Sequence, residues 1–183
     1  MKRILITVSG KDKPGIIAKV TGLLYARGCN LEDVSMTLLE GQFAMMMTVC
    51  VLSQASLNRI LEALEVLEAS PWSMDFHVTL LKGKAYRGRK HALGSLPHII
   101  TAFGRDRTGI VYSVSRALAG FRINITDLDS RILGAGLKTT YAMILEVDVP
   151  KSVNPSKLKR LLAGLAKRLK IEIQLKPLDR VSL

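Results

Sequence analysis

A chain of 183 residues, 48% hydrophobic and 23% charged, holds enough apolar material for one medium or two small folded units, which excludes disorder. No stretch approaches the roughly 20 apolar residues of a membrane span, and the apolar run after Lys2-Arg3 is broken at Ser9-Gly10-Lys11-Asp12, too early for a signal-peptide core. Cys29 and Cys50 match no metal or redox spacing, so a reducing cytoplasm is the expected location. The formal net charge of +12 is uneven: residues 1–82 balance, residues 83–97 carry four bases and no acids, and residues 98–183 carry fifteen bases against seven acids.

In chain order, Arg3–Ser9 is a β-branched apolar run that ends at Gly10 and reads as a strand. Ile16, Ile17, Val20, Leu23, Leu24 and Arg27 then have helical spacing, with Pro14 suited to the first turn and Gly28 to the stop. Leu31–Leu39 and Phe43–Leu52 flank Glu40-Gly41-Gln42, which reads as a hairpin turn. Leu57, Ile60, Leu61, Leu64 and Leu67 mark a second amphipathic helix, which Trp72 follows as a packing plug. Met74, Phe76, Val78 and Leu80 alternate with Asp75, His77 and Thr79 as a closing strand.

The pattern then starts again. Ile6-Thr7 and Gly10-Lys11-Asp12-Lys13-Pro14-Gly15-Ile16 align with Ile100-Thr101 and Gly104-Arg105-Asp106-Arg107-Thr108-Gly109-Ile110. The same offset pairs Val20 with Val114, Leu24 with Leu118, Asn30 with Asn124 and Asp33 with Asp127. After an insertion around Gly134-Ala135-Gly136, Phe43-Ala44-Met45 pairs with Tyr141-Ala142-Met143. Leu158, Leu161, Leu162, Leu165 and Leu169 give the last helix, and Ile171, Ile173 and Leu175 the last strand. The repeated unit is a domain, not a solenoid turn. Strand, helix, hairpin, helix, strand is the split βαβ pattern, and right-handed crossovers put both helices on one face. The expected fold is therefore α+β: two ferredoxin-like βαββαβ domains, each a four-stranded antiparallel sheet with two helices on one face. The expected divisions are 1–83, a basic linker over 84–96, and 97–183.

The turn between first strand and first helix carries the candidate site. Gly15 and Gly109 allow close approach of the backbone, and the helix start offers unpaired N–H groups that favour a carboxylate. Asp12 and Asp106 are suited to cap those groups or to accept from a ligand ammonium. Asn30 and Asn124 add side chains that both donate and accept. A free amino acid needs both kinds of partner, and this corner is expected to supply them. The competing reading is a tight turn and nothing more.

Asp12-Lys13-Pro14-Gly15-Ile16-Ile17-Ala18-Lys19-Val20-Thr21-Gly22-Leu23-Leu24, Gly28-Cys29-Asn30-Leu31-Glu32-Asp33 and Gly41-Gln42-Phe43-Ala44-Met45 resemble an ACT domain. The whole resembles the tandem-ACT proteins of the glycine cleavage system transcriptional repressor family. That resemblance implies side-by-side pairing of units, a homodimer, and amino-acid binding at the interface near the loop. Carried over, it implicates Asp12, Pro14, Gly15, Ile16 and Asn30, with Asp106, Gly109, Ile110 and Asn124 in the second copy. That copy departs from the pattern, with Thr108 for the proline and Arg122 for Gly28.

Catalysis is not expected, since both halves are spent on the repeat and no nucleophile-elbow, Walker or dinucleotide motif occurs. No cofactor is expected. His77, His91 and His98 lack metal-ligand spacing and read as ordinary surface histidines. In Met45-Met46-Met47, strand alternation sends Met45 and Met47 to the core and Met46 outward. The basic residues Lys84, Arg87, Arg89, Lys90, Lys159, Arg160 and Lys167 form the candidate contact with a protein partner or with nucleic acid. Few stacking aromatics and no recognition motif accompany them, which favours protein. The functional expectation is a regulator that senses a small amino acid and acts on a partner such as a transcription factor. The alternative is a docking module without a ligand.

Overall fold

The computed structural model describes residues 2–83, 90–134 and 139–178. The chain divides into two compact units, Met1–Gly88 and Arg89–Leu183. The first comprises β1 (Lys2–Lys11), α1 (Ile16–Tyr25), β2 (Asn30–Leu39), β3 (Gln42–Val51), α2 (Gln54–Glu68) and β4 (Met74–Leu81). The second comprises β5 (Ser95–Gly104), α3 (Ile110–Ala119), β6 (Asn124–Leu133), β7 (Thr140–Pro150), α4 (Pro155–Leu169) and β8 (Ile171–Pro177). Each unit is a four-stranded antiparallel sheet, in the orders β2-β3-β1-β4 and β6-β7-β5-β8. The ferredoxin-like expectation holds for both copies.

Alternation builds each core. On β3, Phe43, Met45, Met47, Val49 and Val51 are buried under the helices, whereas Met46 is 50% exposed on the far face. They meet Ile4, Ile6 and Val8 of β1, Val20 and Leu24 of α1, and Ile60 and Leu64 of α2. Ile100, Val114, Leu118, Met143, Leu145, Leu158 and Leu162 do the same in the second unit. Burial of each such side chain contributes about 2 kcal/mol. At the first hairpin Glu40 and Gly41 both have positive φ (49° and 71°), the conformation of a two-residue type I′ turn.

The helices begin in two different ways. The start of α2 is capped by Ser53, whose side chain accepts from the Ser56 N–H at 3.1 Å. Asn154 caps α4 by accepting from the Ser156 and Lys157 N–H groups. Helices α1 and α3 have no side-chain cap; Gly15 and Gly109 precede them with φ of 94° and 90°. Asp12 and Asp106 are therefore not caps, contrary to one expectation. Pro14 also lies in the turn ahead of α1 and not in its first helical turn.

At the end of α3, Arg122 takes the left-handed conformation (φ 55°) that Gly28 takes after α1 (φ 68°), so the turn survives loss of the glycine.

Candidate functional site

The uncapped start of α1 opens onto a cavity of about 570 Å³. Asp12, Lys13, Pro14, Gly15, Ile16 and Ile17 line its loop side. Ala18, Thr21, Met36 of β2 and Phe43 of β3 complete the wall. Asp12 is fixed through its backbone, whose N–H donates to the Gly41 carbonyl at 2.9 Å. The Lys13 ammonium is already committed, donating to the Pro71 carbonyl at 3.0 Å. The Ile16 N–H donates to Lys13 O at 3.3 Å, which leaves the next helix N–H groups without an intrahelical acceptor. The free N–H groups at the start of α1, Asp12 and the apolar side chains of Met36 and Phe43 therefore border one cavity.

Asn30 is not in that space. It lies beyond the other end of α1, whose ten residues span ~15 Å at 1.5 Å each. There it lines a second cavity of about 520 Å³ with Tyr25, Cys29 and Leu31. Ala18 and Thr21 border both cavities, so one groove follows α1 and the edge strand β2. The expected single corner is instead two ends of a groove. Met36 and Phe43 were missed because they come from strands distant in sequence. The signal that could have found them is alternation: Val34, Met36 and Leu38 share a face of β2, register with Met47, Met45 and Phe43, and are about half exposed.

The second loop differs. Its cavity, about 300 Å³, is lined by Arg107, Gly109, Ile110, Val111, Tyr112 and Tyr141. Asp106 and Asn124 are exposed and do not line it. At the position facing its groove, Ser130 stands where β2 has Met36.

Of the basic candidates, Lys159, Arg160 and Lys167 are exposed on α4, and Lys84, Arg87 and Arg89 lie outside the described residues. Lys90 is a correction: its ammonium is engaged by Asp127 at 2.8 Å and by Glu146, so it is not a free docking charge. His91 is a second correction. Its ring nitrogens each lie 2.8 Å from a carboxylate oxygen, of Asp148 and of Glu146. Both carboxylates are more than fifty residues away in sequence, where spacing rules cannot see them. Asp148 is 3% exposed and accepts from the Ala92 N–H at 2.7 Å. Among the described residues no cluster of His, Cys, Asp or Glu is arranged for a metal ion, and no helix is long and apolar enough to cross a membrane.

Two split-βαβ domains, each with an uncapped glycine-led helix start that opens on a cavity, define a tandem of ferredoxin-like modules. The sequence model of the ACT domain family matches residues 2–79 and 97–176, and the chain belongs to that family. A UPF0237 protein of Methanopyrus kandleri is 45% identical over 49 residues, 27% of this chain and 54% of that protein. The chain thus spans about half the length of the first curated relatives it matches. A UPF0237 protein of Neisseria meningitidis is 36% identical over 78 residues, 42% of this chain and 82% of the relative. Among solved structures, an unknown protein from Galdieria sulphuraria superposes with a TM-score of 0.81 at 23% identity, covering 97% of this chain and 99% of that one. A structure described as a putative glycine cleavage system transcriptional repressor gives 0.70 at 18% identity, with 98% of both chains covered. At these identities the likeness is one of fold.

Proposed function

We propose that this protein is a non-enzymatic, cytoplasmic regulator that binds a small amino acid, glycine- or serine-like, at the α1 loop and passes the signal to a partner. The observation that carries this reading is the uncapped start of α1 bordering one cavity together with Asp12. Helix N–H groups suit a carboxylate, Asp12 suits an ammonium, and Phe43 with Met36 supplies an apolar wall. Asn30, farther along the groove, belongs to the part a second copy would complete. Edge strand β2, with Val34, Met36 and Leu38 uncovered, supports side-by-side pairing into a homodimer. A transcription factor is the partner proposed in this reading. The expected division at 84–96 is proposed to narrow to 84–89, because β5 already begins at Ser95 and residues 90–92 are held by Asp127, Glu146 and Asp148 of the second domain.

Calorimetric titration with the amino acids tests the reading. Glycine or serine is expected to bind, and Asp12→Ala to weaken binding by at least about tenfold through loss of a charge-assisted hydrogen bond. Failure of every amino acid to bind overturns it and leaves a docking module without a ligand.

Partner contact is proposed for the solvent face of α4, where Lys159, Arg160 and Lys167 flank the small residues Ala163 and Gly164. The sequence of α4 contains no acid, whereas α2, its counterpart in the repeat, contains Glu62, Glu65 and Glu68. An acidic protein is the expected partner. Lys159→Glu with Lys167→Glu should abolish its capture. Salt-sensitive retention of non-specific DNA by the parent, lost in this double variant, would instead assign the face to nucleic acid.

A further inference from the structure

We propose that the Ser70-Pro71-Trp72-Ser73 turn is a brace that sets the α1 loop in its binding shape, with Trp72 as the positioning residue. The inference rests on reading the α1 loop as a ligand site and adds what holds that site ready. It starts from a difference between the copies. Residues 69–73 join α2 to β4, whereas Lys170 alone joins α4 to β8. The strands that follow nevertheless begin at equivalent places, with Met74 paired to Gly10 and Ile171 to Gly104. The first domain therefore carries extra chain at the end of the sheet where its loop lies.

That turn is held by its own bonds. The Ser70 hydroxyl donates to the Leu67 carbonyl and accepts from the Trp72 N–H at 3.4 Å, and the Ser73 N–H donates to the Ser70 carbonyl at 3.1 Å. Pro71 fixes one backbone torsion, and Ser73 takes the left-handed conformation (φ 51°) just before β4. Trp72 packs against the core of the first domain. From this base the turn meets the loop twice. The Pro71 carbonyl accepts from the Lys13 ammonium at 3.0 Å, and Trp72 Cη2 lies 3.6 Å from the place a β-carbon on Gly15 would occupy.

Gly15 is where a wall matters. Glycine is the residue with the widest choice of backbone torsions, and the φ of 94° at Gly15 sets the direction in which the free N–H groups of α1 point. An indole has only two side-chain torsions, so a packed tryptophan is a stiff neighbour. The second loop repeats the glycine without the wall. Gly109 has nearly the same φ, 90°, but nothing lies within 4 Å of its β-carbon place. Arg107, at the Lys13 position, is exposed and makes no hydrogen bond or ion pair with a described residue. Fixing a backbone costs conformational entropy, and a loop fixed beforehand spares the ligand that cost.

Amide order parameters of the full chain, recorded without ligand, read the brace directly. Residues 12–17 are expected to be more ordered than residues 106–111. Trp72→Phe keeps an aromatic ring in the core but is too short to reach Gly15, and should bring residues 12–17 down to the level of the second loop. Lys13→Met, which removes the other contact, should loosen the same residues. Calorimetric titration with glycine should show binding about tenfold weaker in Trp72→Phe, the equivalent of ordering one residue's backbone during binding instead of before it. A role in packing alone would change hydrogen exchange in β1 and β4 and leave the order of residues 12–17 as in the parent. That result overturns the proposal, as does equal glycine affinity in parent and Trp72→Phe. If glycine binds neither protein while residues 12–17 loosen as stated, the amino-acid reading fails and the brace stands.

Discussion

Gly104→Ala is expected to destabilise the second domain by about 3 kcal/mol, near the upper end for overpacking by one methyl group. The reason is local and steric. Gly104 closes β5 opposite Ile171 of β8. A β-carbon built there would sit 2.6 Å from Ile171 Cγ2, 2.9 Å from its Cβ and 3.0 Å from its Cα. Ile171 is β-branched and buried, so it has no free rotamer into which to retreat. Strand β8 itself must shift. A β-carbon built on Gly10, the repeat equivalent, would sit 2.7 Å from the Ser73 carbonyl oxygen, so Gly10→Ala should behave alike in the first domain. The sign reverses where the same substitution meets open space. Gly164 lies inside α4 with nothing within 4 Å, and Gly164→Ala should stabilise by about 1 kcal/mol through helix propensity. Amide hydrogen exchange on the full chain reads all three, since each domain serves as the other's reference. Equal protection of β5 and β8 in Gly104→Ala and parent would refute the steric account.

These glycines show which features were legible in the sequence. Gly10 and Gly104 stood out as repeated punctuation, but their reason, the close approach of β4 and β8, lies in contacts across 60 residues or more. The element order, the sheet faces and both cores were readable because alternation and helical spacing are local and were written twice. The buried Met45 and Met47 beside exposed Met46 followed from alternation alone. The site was readable only along its loop. Grouping Asn30 with Asp12 treated a repeated pair of residues as a contact, although a ten-residue helix separates them. Met36 and Phe43 enter through strand pairing, and a register shift between Leu31 and Val34 breaks the simple period of β2 before Met36 is reached. Lys90 read as linker charge and His91 as an ordinary surface histidine, because none of Asp127, Glu146 and Asp148, the acids that bind them, is near in sequence.

That last misreading carries the second large effect: Asp148→Ala is expected to cost about 3 kcal/mol in the second domain and to flatten its acid unfolding. Asp148 sits on the face of β7 away from the helices, opposite Pro97, under the segment that leads into β5. Burial works against its charge, but the Ala92 N–H, His91 and Ser95 hold the carboxyl below the usual carboxylate range. A carboxyl whose folded pKa is depressed contributes stability that is present above its unfolded value, about 3.9, and lost as pH falls through the folded value. The parent should therefore lose stability steeply below about pH 4, where Asp148 must be protonated and surrender its donors. Asp127, held low by its hydrogen bond from Lys90, adds to the same limb. Asp148→Asn tests charge apart from shape: it should keep most of the packing, lose part of the stability at neutral pH, and titrate less on acidification. The effect at neutral pH includes the stranding of His91 Nδ1 and the Ala92 N–H, so Asp148→Ala should cost more than Asn. Denaturant unfolding at pH 7 and pH 3 provides the comparison. If parent and Asp148→Asn lose the same free energy between those values, the acid limb belongs to other carboxylates, and the clip over β7 is held by shape, not by charge.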